Sequence, residues 1–185
     1  MGQYYKVITQ CGLEQHVYDR SVDGEYTMAK LCEHGWFRNS FCEAIAEKLT
    51  HQAMQVCWVG DYAEPKECKD LGFEYDAVWG KNSGGETVHR TDFRLSSMRY
   101  LVNYDRKQVV DLKEYARRSN QDGWVLNPIA ILTCLGNGRG GGDYCPSKKS
   151  TPSYVGRWAM DRIYVTNEKP EGFRMIHPVF REGNE

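Results

Sequence analysis

Five of the seven residues from Gly136 to Gly142 are glycine, with Asn137 and Arg139 between them and Asp143-Tyr144 directly after. No helix or strand interior tolerates that density, because each glycine loses the most backbone freedom on folding and has no side chain to pack. The run therefore predicts a loop at 136–144, with every regular element placed before or after it. Such a backbone also reaches φ > 0 and comes close to other groups, so a ligand, a partner or a crowded neighbouring strand is expected to press on it.

The flanking segments are short. Gln3 to Thr9 is β-branched and aromatic and predicts a first strand. Tyr26 to Glu33 reads as a short strand or helix. Ser40 followed by Glu43 predicts a capping box, and Phe41, Ala44, Ile45 and Leu49 form one apolar face through about residue 50. Gln55 to Val59 predicts a strand that ends at Gly60-Asp61. Residues 62–95, with a Gly-Lys-Asn-Ser-Gly-Gly turn at 80–85, read as an irregular or mobile insertion. A strand at Met98–Asn103, a short helix at Val109–Arg118 and an apolar run at Ile129–Leu135 lead into the glycine loop. Residues 145–153 read as an exposed linker loop, and 155–166 as the most strand-like segment of all. Strands outnumber helices without alternating with them. At 185 residues this predicts a single α+β domain over 1–185, a mostly antiparallel sheet with two or three short helices packed on it.

Charge narrows the function. A net charge of −1 is neither the basic excess of a duplex-DNA wrapper nor the acidic excess of a DNA mimic. Local cations remain, as Arg94, Arg99, Arg106 and Lys107, or as Arg117 and Arg118. The seven cysteines (11, 32, 42, 57, 68, 134 and 145) are odd in number and form no Cys-x-x-Cys pair. Met1-Gly2-Gln3-Tyr4-Tyr5-Lys6 runs straight into the first strand, and Lys6 stands where a myristoylation signal needs Ser or Thr. Reduced, mostly buried thiols in a cytoplasmic protein are expected, and the apolar runs are too short to span a bilayer.

The glycine loop resembles two phosphate cradles and matches neither. Asp143-Tyr144 stands where a Walker loop needs Lys-Ser/Thr, and Cys145-Pro146 follows in place of the helix that a dinucleotide fingerprint requires. A nest of amides from Gly138, Arg139, Gly140, Gly141 and Gly142, with the Arg139 cation, would still suit a small anion. Aspartates recur beside aromatics: Asp61 and Asp143 in Gly-Asp-Tyr with Tyr62 and Tyr144, and Asp61 and Asp161 three residues after Trp58 and Trp158, with Arg162 following. Converging, the three carboxylates would bind a divalent cation or act as acid and base. Separate, each would hold turn amides or an arginine. The histidines show no zinc-ligand spacing, so neither a metal nor a resident cofactor is expected.

Six segments together carry a family resemblance: Met1–Lys6, Lys30–Trp36, Trp58–Ala63, Tyr100–Tyr104, Gly136–Tyr144 and Val155–Ile163, the last reading Val-Gly-Arg-Trp-Ala-Met-Asp-Arg-Ile. They resemble an uncharacterised family of small bacterial proteins often carried by phages and mobile elements of gut Firmicutes, with no established catalytic residues. In size and style the chain also resembles phage-encoded Cas9 inhibitors of the anti-CRISPR class. That likeness implies a non-enzymatic inhibitor of a host defence nuclease or ribonucleoprotein such as Cas9, touching nucleic acid locally. Its partner-binding residues would be Asn137, Gly138, Arg139, Gly140, Gly141, Gly142, Asp143, Tyr144, Asp61, Tyr62, Asp161 and Arg162. The alternative is a nucleotide-handling enzyme or sponge. There Arg139 and the loop amides hold phosphate, Tyr62 or Tyr144 stacks on a base, and the aspartates bind metal or move protons. A third expectation is a structural module whose glycines serve tight packing.

Overall fold

The computed structural model describes residues 1–183. Its centre is a strand pair with apolar side chains on both faces, Tyr5–Cys11 (β1) and Met54–Gly60 (β4), joined antiparallel with Tyr5 opposite Gly60. Alternate residues point to opposite sides of a sheet. Accordingly Tyr5, Val7, Met54, Val56 and Trp58 enter one core, while Ile8, Cys57 and Val59 enter a second. A near-continuous apolar strand such as Val-Cys-Trp-Val demands a layer on each face.

The remaining strands extend this pair. Glu14–Val22 (β2) and Glu25–Tyr26 (β3) continue one side, with Glu86–Val88 (β5) parallel to β2. On the other side lie Arg162–Thr166 (β9), Tyr100–Asn103 (β6), Gln108–Asp111 (β7) and Arg174–Met175 (β10). Cys134–Leu135 (β8) runs parallel to β4. The order β10-β7-β6-β9-β4-β1-β2-β3 is built from six antiparallel pairings and one parallel, with β5 on β2 and β8 on β4 as two further parallel pairs off this path, so the fold is α+β with a mostly antiparallel sheet. Because β6 and β7 separate β9 from β10, residues 167–173 run back across two strands and bring Phe173 to the ring of Tyr104.

Among the described residues six α-helical segments accompany the sheet rather than two or three: Leu31–His34 (α1), Ser40–His51 (α2), Pro65–Asp70 (α3), Tyr75–Trp79 (α4), Leu112–Ser119 (α5) and Pro128–Leu132 (α6). The first core takes the apolar side of α2. Its cap is Asn39, whose carboxamide oxygen accepts from the amides of Phe41 and Cys42. Glu43, expected to close a box on Ser40, is buried and instead accepts from the amides of Arg38 (2.7 Å) and Leu95 (2.6 Å).

Residues 62–95, expected to be irregular, supply the second layer. There α3, α4 and the turn between them place Cys68, Val78 and Phe73 respectively against Ile8, Cys57 and Val59. Helices of six and five residues are too short to show a 3.6-residue period, which is why the sequence reads as loop. The helix expected at Val109–Arg118 divides into β7 and α5 at Asp111, which caps the helix by accepting from Lys113 and Glu114 amides. The expected strand at 155–166 narrows to β9. Gly156 and Met160 turn the chain at φ +68° and +58°, and a Cβ on Gly156 would lie 2.5 Å from the Cys134 carbonyl oxygen. The 145–153 loop is tied to the C-terminal segment through Ser150–Arg181 and Thr151–Val179 hydrogen bonds.

Candidate functional site

The glycine loop closes on its own carboxylate. Asp143 Oδ2 accepts from the amides of Gly138 (2.7 Å), Arg139 (2.7 Å) and Gly140 (2.9 Å), and its Oδ1 accepts from the Tyr5 hydroxyl at 2.8 Å. The amide nest that suits a small anion thus holds Asp143. Burial, reinforced by the neighbouring thiol and carboxylate, pushes the Tyr5 phenol far above its ordinary pKa and keeps it a donor. Arg139 forks onto Glu67 and also donates to the Tyr62 carbonyl. Its hydrogen bonds hold the Glu67 carboxyl below the usual range.

Gly136, Gly140 and Gly142 are crowded by what surrounds them, and Gly138 stands in open space at φ +91°. Gly141 exchanges backbone hydrogen bonds with Met1 and Gln3, and the Gln3 carboxamide donates to the Gly136 carbonyl. A Cβ on Gly140 would stand 2.6 Å from the Gln3 Cβ and 3.0 Å from the Tyr62 ring. Gly142 combines φ +83° with a Cβ position only 2.3 Å from the Lys30 side chain. Asn137 and Tyr144 trade two hydrogen bonds, closing the loop's base. The Tyr144 ring is buried edge-on against Phe180, and burial pushes its phenol up to about 12. It is a core residue and offers no open stacking face.

The three aspartates do not meet. Asp61 Oδ1 accepts from the Tyr4 amide at the Gly60 end of β4, and Asp143 lies at that same end on Tyr5. Asp161 sits beside Gln55 at the other end, about 17 Å away along the strand. There it accepts from Asn103 and the Arg106 guanidinium. Among the described residues, no group of three or more His, Cys, Asp or Glu side chains is placed to hold a metal ion.

Two open surfaces emerge that no single stretch of sequence marks. One surrounds Asp161 and Arg162. The Tyr104 ring, 42% exposed, lies under the Lys107 ammonium (3.8 Å) and the Arg162 guanidinium (4.8 Å), with Phe173 alongside. Asp105 holds Arg162 in place by accepting from its backbone and guanidinium. The other is a groove of about 570 Å³ where Trp36 and Trp124 stack with centroids 4.1 Å apart. Trp36-Phe37 and Val125-Leu126 are joined by backbone pairing, and Trp124 remains 58% exposed. The partners lie far apart in the chain. Only an isolated exposed tryptophan after Gly123, in a turn, hints at the groove.

No helix among the described residues is long and apolar enough to cross a membrane. Comparison with protein-family models, curated proteins and solved structures finds no match to this chain.

Proposed function

We propose that this protein acts by binding, as a phage or mobile-element accessory inhibitor of a host defence nuclease of the Cas9 type, through the surface around Tyr104. The sequence resemblance suggests the class of partner. One structural observation supports the mode: an exposed aromatic ring in contact with Lys107 and Arg162 at a corner where cations outnumber carboxylates. Arg106, Lys107, Arg162 and Arg174 stand there against Asp105 and Asp161, in a chain of net charge −1. Among the described residues Arg106 engages Asp161 through Nε alone, with no acceptor at its two terminal nitrogens, which can meet a phosphate or a protein carboxylate. Tyrosine and arginine are also the side chains on which binding energy concentrates at protein interfaces.

The nucleotide alternative draws no comparable support from the loop. A phosphate would first have to displace Asp143 from three amides, and Arg139 would have to leave Glu67.

Plasmid cleavage by several Cas9 orthologues, with and without the purified protein, tests the proposal. Inhibition is expected, weakened at least ~10-fold by Arg106→Glu with Lys107→Glu and more sensitive to salt than the cleavage reaction alone. Cleavage unaffected across all orthologues refutes the inhibitor. Inhibition indifferent to the charge reversal refutes the assigned surface.

A further inference from the structure

We propose that Cys145 and Cys32 form a redox pair: a peroxide oxidises Cys145, and Cys32 then closes a disulfide that ties α1 to the exit of the glycine loop. This rests on different residues from the nuclease surface and stands or falls separately.

The fold brings the two cysteines together from distant parts of the chain. The Cys32 amide, in α1, donates to the Gly142 carbonyl at 3.1 Å. Three residues further on, the Cys145 amide lies beside the Cys32 sulfur. Contact between one residue's amide and the other's sulfur is the proximity a disulfide requires, ~4.4–6.8 Å between α-carbons. The backbone on the far side is held as well. The Cys145 carbonyl accepts from the Gly183 amide at 2.8 Å, and Pro146 bridges Glu182. The Cys145 thiol itself engages no hydrogen-bond partner among the described residues and can turn about its Cα–Cβ bond toward Cys32.

The surroundings assign the two thiols different parts. Cys145 is exposed and meets an oxidant in solution. Cys32 is only 4% exposed. Burial pushes its thiol far up, helped by the Glu182 and Asp143 carboxylates and the Cys134 thiol and opposed by the Cys145 amide. A protonated, enclosed thiol is a poor target for peroxide. Cys145 therefore reacts first. Its thiolate attacks the peroxide, the O–O bond breaks, hydroxide leaves and a sulfenic acid remains on Cys145. The Cys32 sulfur then attacks the sulfenic sulfur. The S–S bond forms, the S–O bond breaks, and the Cys32 proton departs with the hydroxyl as water. Cys134, the other thiol close to Cys32, is 3% exposed and donates to the Ile131 carbonyl at 3.2 Å, so the oxidant does not reach it. The new bond closes the outer side of a loop whose inner side Asp143 already holds.

Mass spectrometry tests the pair on the intact protein. The reduced protein is treated with hydrogen peroxide, its remaining thiols are alkylated under denaturing conditions, and trypsin digestion follows without reductant. The expected product is Leu31–Arg38 linked to Gly140–Lys148, with the whole chain lighter by two hydrogens and two fewer alkylated cysteines. Dithiothreitol should restore both. Cys145→Ser should leave Cys32 alkylated in full. Cys32→Ser should leave a sulfenic acid on Cys145 that dimedone captures, and if that variant does not fold, the linked wild-type peptide decides alone. The proposal is overturned if Cys145 is oxidised while Cys32 is recovered as a free thiol. It is equally overturned if Cys145 bridges two chains in place of Cys32, or if Cys32 is oxidised as readily in Cys145→Ser as in wild type.

Discussion

Asp143→Ala is the substitution that most directly tests how the glycine loop holds its shape. The carboxylate gathers four donors: three loop amides on one oxygen and the hydroxyl of Tyr5, whose side chain is fully buried, on the other. Water can replace the partner of the Gly138 and Arg139 amides, so each of those bonds contributes about 0.5–1 kcal/mol net. No water reaches the Tyr5 hydroxyl easily, and an orphaned buried donor costs about 1–3 kcal/mol. The whole loss is then roughly 3–5 kcal/mol, a large share of the ~5–15 kcal/mol typical of a domain. At about 2–4 °C per kcal/mol for a chain of this length, the melting temperature should fall by roughly 6–20 °C. Asp143→Asn should be milder, about 2–3 kcal/mol. Its oxygen can face the three amides while its NH2 donates to the Tyr5 oxygen, so the contacts survive, while the charge and the acceptor for the Tyr5 hydroxyl proton are lost. Urea unfolding with a fixed m-value gives both numbers. If Asp143→Ala costs less than about 1 kcal/mol, or Asn and Ala cost the same, the self-capped loop is the wrong account of these glycines. A loop that instead serves an external anion should bind sulfate or phosphate more tightly once Asp143 is removed. A tighter anion complex with an unchanged melting temperature would point to that role.

Gly140→Ala and Gly138→Ala separate crowding from backbone strain. Gly140 lacks a positive φ but is pressed by Gln3 and Tyr62, so alanine there should cost about 1–3 kcal/mol, whereas Gly138 (φ +91°, open space) should cost about 1 kcal/mol; the reverse order in urea unfolding would contradict the packing described. The Glu67–Arg139 pair makes a pH-dependent contribution. With the Glu67 carboxyl lowered in the folded state, the stabilisation is present above the unfolded value near ~4.3 and fades as pH falls through the folded value. Both side chains are about one-third exposed (32% and 34%), which limits the effect to roughly 1 kcal/mol, so Glu67→Gln should lower stability at pH 7 and match wild type in acid, once pH lies below the folded value. An equal gap at both pH values would rule the ion pair out as its source. Cysteine labelling should find Cys145 first, since it is exposed. Cys42, Cys57 and Cys134 should react only on unfolding, with burial pushing the Cys134 thiol up to about 12, and rapid modification of any of the three in the native protein would contradict the core.

Local chemistry was legible wherever it is complete within a few residues. The first strand, the apolar face of α2, the strand ending at Gly60 and the position of the glycine loop all follow from adjacent residue types. Errors fell where two elements meet within one run. Asp111 ends β7 and caps α5, and Gly156 and Met160 break a segment that is otherwise rich in strand formers. The repeated Asp-aromatic motifs suggested a shared pocket, but a motif records only its neighbours in the chain. Along β4, five residues suffice to carry Asp61 and Asp161 to opposite ends of a strand.

By itself the sequence determined that residues 136–144 form a loop in close contact with something, and that short strands and helices flank it. Only the tertiary structure decided that the contact is internal. The loop's amides close on Asp143, its glycines admit Gln3, Tyr62 and Lys30, and its arginine closes on Glu67. Each of those partners apart from Asp143 lies at least 70 residues away in the chain, so no spacing within the loop can encode them. The exposed rings of Tyr104 and Trp124 were likewise indistinguishable from core aromatics until the sheet and the loops around it fixed which faces remain uncovered.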